Sequence, residues 1–141
     1  MPTIKARWTG GVRFVHTSET GHALVTDAPE PHGSNTAPSP MELVLHAFAG
    51  CAGVDLAMML EKMRQPVRDL EITVSGERRD EHPRIYTKIS FHVTVRGDVS
   101  ERRLERAVNL SLDEYCGVAG ILQETAEISR SWEIVAEEST P

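Results

Sequence analysis

The stretch from Ser39 to Arg64 constrains the fold most, because it reads as one long, nearly all-apolar helix. Ser39 suits the N-cap, Pro40 suits the first helical position, and Glu42 stands three residues after the cap, which completes a capping-box pattern. The pattern ends just before Pro66, which disfavours helix at the residue before it. At about 1.5 Å per residue such a helix spans roughly 34 Å. We therefore expect it to form the core of the fold.

Composition predicts a single soluble domain and argues against several classes of function. The 141 residues are 40% hydrophobic and 26% charged, which is enough for a buried core. A net charge of −6 with scattered arginines argues against binding to nucleic acid or to an anionic membrane surface. Polar residues interrupt the apolar helix, which argues against a membrane span. No secretory leader pattern is present, so we expect a cytoplasmic protein.

Alternating apolar residues predict strands on both sides of the long helix. Three short strands are expected over residues 3–27, a loop rich in proline and glycine over residues 28–38, and the helix over about 40–64. Residues from about 68 to 136 predict two strands, an amphipathic helix and a last strand. The order βββ–α–ββ–α–β predicts an α+β fold with an antiparallel sheet around the central helix.

Two cysteines, Cys51 and Cys116, are the residues most suited to chemistry. Cys51 lies in the middle of the long helix beside Gly50 and Gly53, each of which costs a helix about 1 kcal/mol relative to alanine, so we expect a close approach to the backbone there. Cys116 is expected at the end of the second helix, which Gly117 should break. In a cytosolic protein, two cysteines so far apart are either isolated thiols or a working redox pair.

The sequence around Cys51 leaves its chemistry open. Most isolated cysteines are small buried hydrophobic residues, and this alternative applies to both thiols. A reactive thiol needs nearby cations to lower its pKa, but Asp55, one turn after Cys51, would oppose the thiolate. An activating cation must therefore come from a distant segment, for which Arg7 and Arg13 are the candidates. The six histidines lack ligand spacing and no cofactor motif is present, so we expect neither a metal nor a bound cofactor.

Three features resemble the OsmC/Ohr family, named for osmotically inducible protein C and organic hydroperoxide resistance. They are the run 35–43 that leads into Ala49-Gly50-Cys51, the run Glu114-Tyr115-Cys116, and the order of the elements, which covers nearly the whole chain. The resemblance implies an intertwined homodimer in which two long helices pack centrally and two active sites lie at the subunit interface. Such packing would explain the glycines beside Cys51.

The same resemblance implies a thiol-dependent peroxidase active in oxidative stress defence. Cys51 would be the peroxidatic nucleophile that attacks a small hydrophobic hydroperoxide, and Cys116 would be the resolving cysteine that forms a disulfide with it. Arg13 and Glu42 are the nearest matches to the arginine and the glutamate that keep the family's thiol reactive. An external dithiol, such as a lipoyl protein, would reduce the disulfide, and no bound cofactor is implied.

Two departures from the family pattern keep other interpretations open. The glutamate of the typical peroxidase lies ten residues before the cysteine, whereas Glu42 lies nine before Cys51, and Val12 separates Arg13 from the paired glycines. A diverged branch is expected for this reason. The alternatives are a non-catalytic dimer that binds a small hydrophobic ligand, and a structural domain with two buried thiols. Glu42 is correspondingly either a catalytic support or only a capping residue.

Overall fold

The long apolar helix, α1, runs from Pro40 to Lys62 in the computed structural model, which describes residues 1–136. Ser39 caps it as expected, because its Oγ accepts a hydrogen bond of 3.2 Å from the backbone N–H of Glu42. The strands are β1 (Ile4–Trp8), β2 (Phe14–Ser18), β3 (Ala23–Thr26), β4 (Val67–Arg78), β5 (Tyr86–Gly97) and β6 (Glu127–Val135). Two shorter helices, α2 (Glu101–Leu110) and α3 (Gly117–Leu122), flank a π-helical turn, Ser111–Tyr115. The α+β class is confirmed.

The chain divides into two compact units, and the first comprises residues 1–44. Its sheet is the expected meander, with β1, β2 and β3 paired antiparallel. The meander buries little by itself: every residue of β1 is exposed, including Trp8 at 64%. Only Thr26 and Asp27 are buried in this unit. Its sheet therefore presents apolar side chains that its own residues do not cover.

The second unit begins at Leu45 and contains a sheet of order β4–β5–β6. The strands β4 and β5 form an antiparallel hairpin, but β6 pairs parallel with β5, from Lys88 opposite Glu127 to Arg96 opposite Val135. This corrects the expectation of a wholly antiparallel sheet. The helical segment between β5 and β6 carries the chain back along the sheet, so that β6 runs in the same direction as β5.

The core of the second unit lies between α1 and this sheet. Helix α1 buries four residues at helical spacing, Phe48, Ala52, Leu56 and Leu60. Alternate residues of β5 are buried, and the rings of Phe48 and Phe91 lie 5.1 Å apart. A Cβ at Gly53 would lie 3.3 Å from Cδ1 of Ile72 on β4, so the close approach expected beside Cys51 is made by the sheet at that position.

Another side of α1 carries an exposed stripe of small and apolar residues. Ala47 and Gly50 are exposed, and Val54 and Met58 are exposed to 59% and 65%. Among residues 1–136, no side chain and no backbone beyond the neighbouring turns of α1 lies within 4 Å of a Cβ placed on Gly50. By length and composition alone α1 also qualifies as a membrane span, a test that core helices of soluble proteins pass as well. We call Ala47, Gly50, Val54 and Met58 the α1 stripe.

The C-terminal helical region is more divided than the sequence predicts. Helix α2 is capped by Ser100 and ends at Leu110, and the chain then widens into the π-helical turn. Cys116 follows with extended backbone geometry and caps α3, because its Sγ accepts a hydrogen bond of 3.3 Å from the N–H of Ala119. Gly117 therefore begins a third helix instead of ending the second. The apolar spacing of α2 continues across the π-helical turn, so the hydrophobic periodicity does not indicate that α2 ends at Leu110.

Candidate active site

The structure brings the two cysteine side chains together. Both are free thiols, and Cys51 is half-buried whereas Cys116 is only 4% exposed. Cys51 lies close enough to the Cys116 thiol to raise the pKa of Cys116. A disulfide requires this kind of proximity, which the sequence could not establish. The roles assigned to the two sulfurs remain predictions.

The environment of Cys116 keeps its thiol protonated at neutral pH. The pKa of Cys116 is raised from 9.0 to about 11, chiefly because the thiol is buried and also because Cys51 lies nearby. The N–H groups of Ala119 and Val118 have the opposite effect on the pKa, because they donate to the sulfur and favour the thiolate. A protonated, buried thiol is a poor first nucleophile, since the thiolate is the attacking species.

We expect the alkylation of Cys116 to depend on pH with a midpoint near 11 in the folded, reduced protein. Iodoacetamide reacts with thiolates, so Cys116 should be modified slowly at pH 8 and progressively faster toward pH 11. Peptide mass mapping after timed alkylation would follow each cysteine separately. The same measurement in denaturant should give a midpoint near the ordinary value of 9.0. A folded-state midpoint near 9 would contradict the expectation.

The same pKa shift predicts a loss of stability in alkali. Between pH 9 and 11 the folded chain holds the Cys116 proton while the unfolded chain releases it, so the free energy of unfolding should fall as the pH rises through this range. Cys116→Ser has no thiol to titrate and should lack this part of the decrease.

Asp55 and Ser111 connect α1 to the segment that carries Cys116. The carboxylate of Asp55 accepts a hydrogen bond of 3.0 Å from Oγ of Ser111, which is fully buried. The carbonyl oxygen of Ser111 accepts the N–H of Cys116 at 2.7 Å, which closes the π-helical turn. Sequence reasoning treated Asp55 only as an opponent of the thiolate and missed Ser111. The available signal was a serine at an apolar position of the α2 pattern.

Glu42 takes part in the cap of α1 through its backbone N–H, and its side chain is exposed in the first turn. It precedes Cys51 by nine residues on the same helix. At about 100° per residue, two side chains nine residues apart leave a helix on opposite sides. The structure therefore does not bring Glu42 to Cys51 along α1.

Arg13 is held within the first unit by a buried carboxylate and a threonine. Its Nε donates to Oγ1 of Thr36 at 3.1 Å and lies 3.9 Å from Oδ2 of Asp27. Asp27 is 3% exposed, and hydrogen bonds from the hydroxyl and then the N–H of Thr36, with a further one from Ala28, lower its pKa to about 2. This ionised carboxylate fixes the guanidinium. Arg7, the other candidate cation, is an exposed residue of β1.

No group of three or more histidine, cysteine, aspartate and glutamate side chains within residues 1–136 could hold a metal ion.

The amino-acid sequence matches the OsmC-like protein family over residues 33–130, which is more than half of the chain. The chain belongs to the OsmC-like family. This OsmC-like chain is 40% identical over 133 residues to protein YhfA of Escherichia coli K12, in an alignment that covers 94% of this chain and 97% of YhfA. The resemblance inferred from the cysteine motifs is thereby confirmed.

Solved structures agree with this assignment. A hypothetical protein from Aquifex aeolicus VF5 superposes with a TM-score of 0.87 at 32% identity, over 98% of both chains. The organic hydroperoxide resistance protein OsmC from Legionella pneumophila gives a TM-score of 0.74 at 15% identity, over 94% of this chain and 96% of that chain. At that identity the second similarity shows the fold alone. The OsmC/Ohr fold is confirmed for this OsmC-like protein.

Proposed function

We propose that this OsmC-like protein is a thiol-dependent peroxidase that reduces organic hydroperoxides to alcohols. The observation that carries the proposal is the proximity of a half-buried thiol, Cys51, to a buried, protonated thiol, Cys116, whose pKa it raises. An accessible sulfur beside a protonated partner is suited to attack followed by resolution. Some structural neighbours are named organic hydroperoxide resistance proteins, which supports the reaction class.

In the first step the Cys51 thiolate attacks one oxygen of the hydroperoxide, and the O–O bond breaks. The sulfur is oxidised to a sulfenic acid, while the other oxygen leaves as an alkoxide and takes a proton from solvent to give the alcohol. Cys51 is assigned this step because a peroxide can reach a half-buried sulfur more readily than one that is 4% exposed.

In the second step Cys116 attacks the sulfenic sulfur of Cys51. An S–S bond forms, the S–O bond breaks, and the hydroxyl leaves with the Cys116 proton as water. An external dithiol then reduces the disulfide by exchange and is itself oxidised to a disulfide. The protein supplies no bound cofactor in this scheme.

Arg13 and Glu42 enter the proposal through the family resemblance. Arg13 is proposed to stabilise the Cys51 thiolate, for which its guanidinium is suited because Asp27 and Thr36 fix its orientation. Glu42 is proposed to support that arginine. The exposure of both side chains in the described chain is compatible with contacts to a second copy.

We include a homodimer in the proposal. Its support is the α1 stripe together with the meander, whose apolar side chains the first unit leaves uncovered. Small residues such as Ala47 and Gly50 allow two helices to approach closely. Contiguous exposed apolar patches often mark interaction sites.

Gly50→Leu is expected to dissociate the dimer. In an isolated chain this position has open space, so a larger side chain there should not reduce stability. Against a second α1 it would separate the helices and remove packing contacts. Sedimentation over a range of protein concentrations would measure the change. Glu105→Leu, an exposed position on α2, is the matched control and should remain dimeric. A monomeric wild type, or an unchanged Gly50→Leu dimer, would contradict the proposed interface.

The peroxidase proposal is tested by adding cumene hydroperoxide to the reduced protein without other thiols. We expect about one equivalent to be consumed per protomer, with a mass loss of two hydrogens that maps to Cys51 and Cys116. Sustained consumption should then require a dithiol. Absence of consumption would favour the non-catalytic alternative, a dimer that binds a small hydrophobic ligand.

A further inference from the structure

We infer that Asp55 and Ser111 are positioning residues that hold Cys116 against Cys51 for disulfide formation. The inference deepens the proposed function and rests on it. It assigns a role to a hydrogen bond between side chains that joins α1 to the π-helical turn. Neither residue touches a reacting atom in this role, because both act through Cys116.

Asp55 and Ser111 link the helix that carries Cys51 to the backbone of Cys116. Asp55 follows Cys51 by one turn on α1 and accepts the hydroxyl of Ser111 at 3.0 Å. The carbonyl of Ser111 accepts the N–H of Cys116 at 2.7 Å, and the Cys116 thiol lies close enough to Cys51 for its pKa to be raised. Ser111 therefore ties Cys116 both to its own turn and to α1, the helix that carries Cys51.

The burial of Ser111 favours its hydrogen bond to Asp55. Ser111 is fully buried, so its hydroxyl would lose hydrogen-bonding energy unless a partner were present, and Asp55 is that partner. The first residue of the π-helical turn is thus anchored to α1. The residue that follows the turn, Cys116, is placed by the turn's own hydrogen bond.

The geometry of the turn supports a role at the site. π-Helical turns are rare, and they occur frequently at functional sites because they redirect a side chain within a helix. Here the wider turn interrupts α2 five residues before Cys116 and gives that residue an extended backbone at the start of α3. A continuous helix from α2 would place the sulfur differently. The hydrogen bond from Ser111 to Asp55 fixes the residue at which the α-helix widens into the π-helical turn.

The step that benefits is the resolution reaction. The Cys116 sulfur forms the S–S bond, its proton leaves with the sulfenic hydroxyl as water, and no further reactant takes part. The rate and the equilibrium of disulfide formation depend on how much conformational entropy the two cysteine side chains lose when their sulfurs approach each other. A fixed Cys116 loses less freedom, so the pair acts at a higher effective concentration.

The test measures that effective concentration in a glutathione redox buffer. Ser111→Ala and Asp55→Ala should each lower it about tenfold, which makes the reduction potential about 30 mV less negative. Each variant should also form the Cys51–Cys116 disulfide more slowly with diamide. Asp55→Asn keeps an oxygen that can accept the Ser111 hydroxyl, so its potential should lie closer to that of the wild type. The double variant should equal the single ones, because the same hydrogen bond is lost.

The controls separate positioning from general damage and from peroxidase activity. Ser129→Ala removes a serine that donates to the carbonyl of Ile89 on the sheet, and its potential should equal the wild-type value. If Ser111→Ala does not fold, Asp55→Ala and Asp55→Asn carry the comparison. Wild-type potentials in both Ser111→Ala and Asp55→Ala would overturn the inference. Diamide and glutathione need no hydroperoxide, so altered potentials without peroxide consumption would refute only the proposed function.

Discussion

Cys51→Ser is expected to lower the consumption of cumene hydroperoxide to the rate of protein-free buffer, whereas Cys116→Ser should retain a single round of reduction. The difference follows from the two environments. Cys51 is half-buried and is proposed to make the attack, while Cys116 is buried with its pKa raised to about 11 and remains a thiol at neutral pH. Loss of the attacking sulfur removes the first step, and loss of the resolving sulfur stops the cycle after it.

The two variants are distinguished by what remains on the protein. In Cys116→Ser the sulfenic acid on Cys51 has no partner, so a dimedone adduct or overoxidation to a sulfinic acid should be found at Cys51 by mass spectrometry. Cys51→Ser should give no adduct at Cys116. If Cys116 were oxidised in that variant at the wild-type rate, the assignment of the two sulfurs would have to be reversed.

Phe48→Ala is expected to lower the free energy of unfolding by about 3–5 kcal/mol, the usual cost of removing a buried phenylalanine. Phe48 has no exposed surface and packs against Phe91 with the ring centroids 5.1 Å apart, so the substitution leaves a cavity between α1 and the sheet. A loss of that size approaches the whole stability of a typical domain, about 5–15 kcal/mol. Urea denaturation followed by circular dichroism measures it.

Glu61→Ala is the matched control for Phe48→Ala, because it shortens a side chain at an exposed position on the same helix, outside the α1 stripe. It should change the free energy of unfolding by less than about 0.5 kcal/mol. Phe48 lies three residues before Cys51, so its loss should also loosen the thiol pair. A change below about 1 kcal/mol for Phe48→Ala would contradict the packing described for this core.

The sequence predicts the long helix well because its signals are local. The N-cap of Ser39, the proline that follows it and the apolar run all act within a few residues, and the observed helix, Pro40–Lys62, lies within the expected range. The second strand of the β4–β5 hairpin is equally clear, since alternation along β5 reflects one buried face. The family motif around Cys51 is also a local run of residues, and it indicates the OsmC-like fold.

What the sequence could not provide depends on contacts between distant segments. Strand patterns carry no direction, so the parallel pairing of β6 with β5 was not foreseen. Because the π-helical turn keeps the apolar spacing of α2, the sequence predicts one continuous helix up to Cys116. The hydrogen bond between Asp55 and Ser111 joins residues 56 positions apart, and nothing in the local sequence of either residue specifies the other.

The parallel pairing of β5 with β6 has a consequence for the order of folding. The β4–β5 hairpin closes over a short turn, whereas Ile89 and Ile128 come together only after the whole helical connection that contains Cys116 has been looped back. Closing a longer loop costs more chain entropy, so contacts of this kind form late. We therefore expect Cys116 to settle beside Cys51 near the end of folding. The buried environment that raises the pKa of Cys116 would therefore be complete only when the last strand is in place.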